Sequence, residues 1–277
     1  MNVIDLKLAQ APELFVQSLH ETGFGILDNH PINQKLVESI YHDWLQFFNS
    51  HEKQLYLYNK DTQDGFFPAS ISEKAKGFQE KDLKEFYHVF PWGQIPPSLK
   101  DKVLEYYDST AEFAARLLNW IEEFSPDAIS SRYSEPLSSM IKDTPKTVLR
   151  ILHYPPLSGN EKPGAVRAAA HEDINLITLL PAANNPGLQL KLKNGQWIDV
   201  PCNFGNLIIN IGDMLQEVSE GYFPSTSHRV INPQQKRQNQ SRISLPLFVH
   251  PRDEVVLSER YTSGQYLDER LKELGVK

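Results

Sequence analysis

The strongest constraint on this chain is a set of three side chains placed far apart along it: His171 and Asp173 on one short segment, and His228 much later. Two imidazoles and one carboxylate can grip a single metal ion, so a fold that uses them must bring distant segments together. In an extended strand, residues i and i+2 project from the same face, so His171 and Asp173 are expected to act from one strand while Glu172 turns away. The third ligand then has to arrive from another strand. Two histidines and a carboxylate cover one face of an octahedral ion and leave the opposite positions open, the arrangement of mononuclear non-haem Fe(II) sites.

The flanking sequence is compatible with strands at both places. Residues 175–180 are apolar and rich in β-formers, and Pro181 closes the run. The partner region, 221–230, follows a Gly-Asp turn at Gly212-Asp213 and alternates small polar with bulky positions, which puts His228 on a sheet. A second cluster lies on a strand expected over 241–249, where Arg242 and Ser244 are again two apart and face one way. A guanidinium takes a carboxylate in a charge-assisted, often bidentate pair, and a serine hydroxyl adds a further donor. A diacid cosubstrate suits that pair, with a surface ion pair as the alternative for Arg242.

The order of short motifs extends the pattern along the chain. It begins with Thr22-Gly23-Phe24-Gly25-Ile26-Leu27 and Asn29-His30, then Lys81-Asp82-Leu83-Lys84-Glu85-Phe86 and His153-Tyr154-Pro155-Pro156. It continues with Ala170-His171-Glu172-Asp173, Pro186-Gly187-Leu188-Gln189-Leu190, Gly195-Gln196-Trp197 and Asn210-Ile211-Gly212-Asp213. Ser227-His228-Arg229-Val230, Asn232-Pro233 and Arg242-Ile243-Ser244 complete it. In this order, and over nearly the whole length, the chain resembles the isopenicillin N synthase-like group of 2-oxoglutarate- and Fe(II)-dependent oxygenases.

The resemblance implies that His171, Asp173 and His228 are the iron ligands. It also implies that Arg242 and Ser244 clamp the C5 carboxylate of 2-oxoglutarate, with Tyr154 reaching the same group. Many members carry asparagine two positions before that tyrosine; this chain has Leu152, so one cosubstrate contact is lost or replaced. The implied reaction consumes O2 and couples decarboxylation of 2-oxoglutarate to succinate with hydroxylation, desaturation or ring closure of a small molecule. The iron and cosubstrate supply the reactivity while the protein fixes geometry.

Strand parity extends the site. Phe248 lies four residues past Ser244 and Arg150 four before Tyr154, so both are expected to face inward and line the substrate cavity. A buried cation needs a partner, so Arg150 is expected to meet an acidic substrate group or an internal carboxylate. His153 should face opposite to Tyr154 and be structural, His30 should shape a turn, and Arg229 should point away from the metal.

The expected fold is mainly β with flanking helices: a double-stranded β-helix, or jelly roll, with an N-terminal α/β portion. The division is 1–100 for the N-terminal non-haem dioxygenase portion, 101–144 for a supporting helix and connection, 145–252 for the jelly-roll core and 253–277 for a helical tail. Helices are expected at 12–20, 33–48, 98–124 and 264–274, with a short strand at 23–27. The polar run 234–240 reads as a solvated hairpin loop.

With 277 residues and 40% hydrophobic content there is ample room for a core. A net charge of -7 argues against nucleic acid, whose binding relies on clustered Lys and Arg. The single cysteine, Cys202, excludes an internal disulfide, and neither a signal peptide nor a membrane-length apolar run is read, so a cytoplasmic protein with a small-molecule substrate is expected. Three other readings stay open: an Fe(II) oxidase of the same family that needs no keto acid, a zinc hydrolase using the same ligands, and a non-catalytic sensor that keeps the metal. The hydrolase leaves Arg242 and Ser244 without a role.

Overall fold

Helix ends in the first third follow local chemistry. Strand β1 (Val3–Asp5) leads to helix α1 (Ala11–Thr22), which carries a proline in its first turn and ends at Gly23. There a φ of 73° lets the Gly23 N–H donate back to Leu19 O. Strand β2 (Phe24–Asp28) follows, and helix α2 (Gln34–Asn49) starts where the Asn33 side chain accepts hydrogen bonds from the N–H groups of Lys35 and Leu36. The computed structural model describes residues 2–71, 82–183, 186–201, 203–235 and 239–273. Lys81, Cys202, part of the polar run 234–240 and Leu274 lie outside them.

Strands β3 (Gly65–Phe67) and β4 (Glu85–Val89) precede the long helix α3 (Pro97–Glu123). Its buried residues include Val103, Tyr107, Ala114, Leu118 and Ile121, one apolar stripe at helical spacing. Each fully buried large apolar side chain on such a stripe contributes roughly 1.5–3 kcal/mol. The single-turn helices α4 (Asp127–Ser130) and α5 (Leu137–Met140) then lead into strands. These are β5 (Val148–Tyr154), β6 (Ala168–His171), β7 (Ile177–Pro181), β8 (Leu188–Lys191), β9 (Trp197–Asp199) and β10 (Leu207–Ile211). A short helix α6 (Asp213–Val218), strands β11 (His228–Val230), β12 (Arg242–Ser244) and β13 (Leu247–Val249), and helix α7 (Ser263–Glu273) complete the described chain.

The strands form two sheets, as a jelly roll requires. The large one runs β1-β2-β10-β7-β13-β5-β4-β3 with β12 also on β5, and the small one runs β6-β11-β8-β9. Alternation along each large-sheet strand separates two cores. Leu149 and Ile151 of β5, Leu207 and Ile209 of β10, and Leu27 of β2 pack on the helix side with Trp44 and Leu117. Leu152 and Tyr154, Ile208, and Phe24 and Ile26 face the space between the sheets.

Three expectations need correction. Asp173 is not on a strand: β6 ends at His171, and the chain turns there from the small sheet to the large one. The Gly-Asp turn at 212–213 is instead the start of α6, with Gly212 as its N-terminal cap residue. The strand expected at 241–249 is two strands that keep one register against β5, Ser244 opposite Leu152 and Leu247 opposite Leu149. Pro246 lies at the interruption because it has no N–H to donate, while its carbonyl still accepts from Arg150 N–H at 3.0 Å.

Candidate metal centre

His171 and His228 are directly paired across the antiparallel β6–β11 ladder, which brings their ring centroids to 4.4 Å. Asp173 meets them from the turn: its Oδ1 lies 3.8 Å from Nε2 of His171 and 3.8 Å from Nε2 of His228. One ligand atom from each of the three residues lies within 4.8 Å of the others. Backbone bonds hold the turn in place. Asp213 N–H donates to Asp173 O at 2.7 Å, and Met214 N–H to Ile174 O and Asn175 O, so the first turn of α6 caps the segment carrying the carboxylate. Gly212 is required there, because a Cβ would overlap the Asn175 backbone oxygen.

The remaining polar atoms of the trio are already engaged. Nδ1 of His171 lies 2.8 Å from Ala169 O, and Nδ1 of His228 lies 3.2 Å from Thr226 O. A carbonyl only accepts, so both Nδ1 atoms carry the hydrogen and both Nε2 lone pairs point into the site. Asp173 Oδ2 accepts from Thr178 Oγ1 at 2.6 Å and Asn210 Nδ2 at 2.8 Å, leaving Oδ1 as the free oxygen. Asn175 Nδ2 in turn donates to Thr178 Oγ1 at 2.9 Å.

These contacts set the charge states. Burial pushes the Asp173 carboxyl up, but the facing His228 and His171 rings and the two donated hydrogen bonds outweigh it and hold it below the ordinary carboxylate value. Loss of solvent, and then the proximity of His228, lower the pKa of His171, so its ring is neutral near pH 7. A carboxylate and two imidazoles whose Nε2 atoms face one point fit a divalent first-row metal.

One cross-strand row of the large sheet supports much of this site. Phe24, Asn210, Thr178 and Phe248 are successive register partners on β2, β10, β7 and β13. Phe24 meets the His228 ring edge-on at 5.6 Å, Asn210 and Thr178 hold Asp173, and Phe248 continues the row. Thr178 and Asn210 escaped the strand-parity reading, although Asn210 belongs to the Asn-Ile-Gly-Asp motif.

Arg242, Ser244 and Tyr154 also come together between the sheets. Arg242 is the register partner of Tyr154, Ser244 that of Leu152, and all three site residues are buried. The Arg242 guanidinium carbon is 5.8 Å from the Tyr154 ring centroid, and its Nη1 donates to Pro186 O at 3.2 Å. Burial raises the Tyr154 hydroxyl pKa, so it stays a neutral donor.

Arg150 and Phe248 are neighbours, with the guanidinium carbon 5.3 Å from the Phe248 ring and 4.7 Å from Phe86. The Arg150 Nε donates to Nε2 of His88 at 2.8 Å. Phe67 stacks on Phe86 at 4.6 Å, adding a second ring beside this cluster. His153 does face the other way, between Glu85 and Ser241, and His30 ties its turn to Gly205 O. Arg229 lies over Trp197 at 4.1 Å, away from the trio.

Comparison with known proteins gives a consistent picture. Residues 145–251 match the 2OG-Fe(II) oxygenase superfamily, and residues 1–111 match the N-terminal region of non-haem dioxygenase in morphine synthesis. The 2-oxoglutarate-dependent dioxygenase 11 of Oryza sativa subsp. japonica is 30% identical over 268 residues, covering 89% of this chain and 71% of that protein. Among solved structures, one described as an oxygenase from Shewanella oneidensis is 59% identical with a TM-score of 0.91, covering 100% of this chain and 99% of its own. A full-length Neurospora crassa protein in complex with alpha-KG and 5-formyluracil is 25% identical with a TM-score of 0.76, covering 97% and 94%.

Proposed function

We propose, on the premise that the chain belongs to the 2-oxoglutarate- and Fe(II)-dependent oxygenase superfamily, that His171, Asp173 and His228 hold the ferrous ion. Arg242, Ser244 and Tyr154 then receive the distal carboxylate of 2-oxoglutarate. The enzyme is a 2-oxoglutarate-dependent non-haem iron dioxygenase, and O2 is its other cosubstrate. The observation that carries the residue assignment is that both Nδ1 atoms and Asp173 Oδ2 are engaged by the protein, leaving two Nε2 atoms and Oδ1 facing one another.

Bound ferrous iron supplies the oxygen-activating chemistry, coupled to decarboxylation of 2-oxoglutarate to succinate. The protein's own part is placement. Thr178 and Asn210 fix Asp173 so that Oδ1 faces the histidines. Arg242 neutralises the distal carboxylate while Ser244 and the neutral Tyr154 hydroxyl donate to it. Leu152 lies between Ser244 and Phe86 in register, an apolar side chain beside these donors.

Arg150 and Phe248 are the substrate-facing pair. A flat, polar small molecule would lay its ring face on Phe248 and present an acceptor to Arg150, with Phe86 and Phe67 closing the side. The complex of the Neurospora crassa protein with 5-formyluracil supports a substrate of that shape. Anaerobic loading with Fe(II) and 2-oxoglutarate tests the assignment: a visible charge-transfer band is expected for the wild type and lost in Asp173→Ala. A band retained in that variant would refute it, and a screen of flat heterocycles for stimulated succinate release tests the substrate class.

A further inference from the structure

Arg167 stands just before β6 and is 1% exposed, one of the largest fully buried side chains in the protein. A buried guanidinium is costly unless an anion or a full set of acceptors meets it. Among the described residues only one acceptor does: Nη2 donates to Gln240 O at 2.8 Å, while Nε is buried with no hydrogen-bond partner. No carboxylate of those residues pairs with it. Its guanidinium carbon lies 5.9 Å from the Tyr154 ring, the same ring that Arg242 approaches to 5.8 Å. Burial first, and then the charge of Arg242, make Arg167 less basic than a free arginine. Two guanidinium groups therefore flank one buried ring, and Arg167 meets no carboxylate among the described residues.

Gly187 has a φ of 126°, and a Cβ on it would sit 3.6 Å from Arg242 Nη1 and 3.2 Å from Ile231 O.

We infer that Arg167 is a specificity-determining residue, the second guanidinium at the end of the pocket that receives the cosubstrate's distal carboxylate. This rests on the reading of Arg242, Ser244 and Tyr154 given above and deepens it. A keto acid without the distal carboxylate would leave the buried Arg167 Nε unmet, so Arg167 widens the preference for a dicarboxylate. The competing role is structural, a tether that holds the segment before β12 through Gln240 O. The two roles differ in ligand dependence.

The experiment uses the full chain loaded with Mn(II), which binds without turnover, and measures Kd by calorimetry for 2-oxoglutarate and for 2-oxopentanoate. The two ligands share the keto-acid end, and only the first has a distal carboxylate. Arg167→Met is expected to weaken 2-oxoglutarate about tenfold or more, the scale of one charge-assisted hydrogen bond, and to leave 2-oxopentanoate within about twofold. Arg167→Lys keeps the charge but loses the fork, and is expected to show a smaller loss confined to 2-oxoglutarate. If the methionine variant does not fold, the lysine variant decides. Equal weakening of both ligands, or an unchanged Kd for 2-oxoglutarate, overturns the inference and leaves the rest of the pocket standing. A wild type that does not prefer 2-oxoglutarate to 2-oxopentanoate, or an Arg242→Met variant that binds 2-oxoglutarate normally, overturns the pocket itself and the inference with it.

Discussion

Replacing Thr178 with valine removes one hydroxyl and keeps the shape of the side chain. In the folded protein that hydroxyl donates to Asp173 Oδ2 at 2.6 Å and accepts from Asn175 Nδ2 at 2.9 Å. The Asn175 group keeps a second acceptor, Ile177 O at 3.0 Å, so most of the loss falls on Asp173. A buried hydrogen bond to a charged group contributes about 1.5–3 kcal/mol. Asp173 retains the Asn210 bond, so its carboxylate is loosened rather than freed. At about 1.4 kcal/mol per factor of ten, metal affinity should fall roughly 10- to 100-fold, the range seen when partners of metal ligands are removed. Calorimetric titration of the apo protein with Mn(II) reads this directly, and circular dichroism checks that the variant is folded. A folded Thr178→Val protein that binds Mn(II) within about twofold of wild type would show that this bond does not position Asp173 for a metal. A double-mutant cycle with Asn210→Ala should be non-additive, because both donors act on one oxygen.

Gly212→Ala should cost about 3 kcal/mol or more in urea denaturation, since its new methyl group overlaps Asn175 O, and should weaken Mn(II) binding with it; wild-type stability contradicts this. Burial holds His250 at a pKa of about 4, against 6.5 when exposed. The folded state thus binds fewer protons than the unfolded chain between those values, so its contribution is complete above about pH 6.5 and is lost as pH falls toward 4. That contribution is about 3 kcal/mol, and His250→Gln should flatten the acid limb of the stability curve; an unchanged limb counts against it. Arg150→Leu should leave the charge-transfer band intact and raise the KM of any substrate found by the succinate screen, whereas an unchanged KM removes Arg150 from the substrate site.

Much of this was legible because period and chemistry agreed. Helix α2 was readable from Asn33 and its apolar stripe, and α3 from Val103 through Ile121 with prolines bracketing the run. Arg242, Ser244 and Phe248 were correctly placed on one face, since β12 and β13 keep one register through Pro246. The reading of His171 and Asp173 as a strand pair failed for a physical reason. Parity describes residues within a strand, and Asp173 reaches the site because the chain leaves the small sheet immediately after His171. Its supports, Thr178 and Asn210, are neighbours only across β7 and β10, a pairing that no local window contains. Helix α6 was hidden for a similar reason: its six residues are too few for periodicity, and its place is set by hydrogen bonds to residues 173–175. The contact between Arg150 and His88 escaped the strand-parity reading because only the β4–β5 register brings His88 alongside. No described helix is long and apolar enough to cross a membrane.

An iron-edge anomalous difference map from a crystal loaded anaerobically with Fe(II) tests the central claim most directly. The account predicts one strong peak about 2.0–2.2 Å from Nε2 of His171, Nε2 of His228 and Oδ1 of Asp173 together, with the opposite side open for ligands. A peak bound by other residues, or one touching neither imidazole, would contradict it.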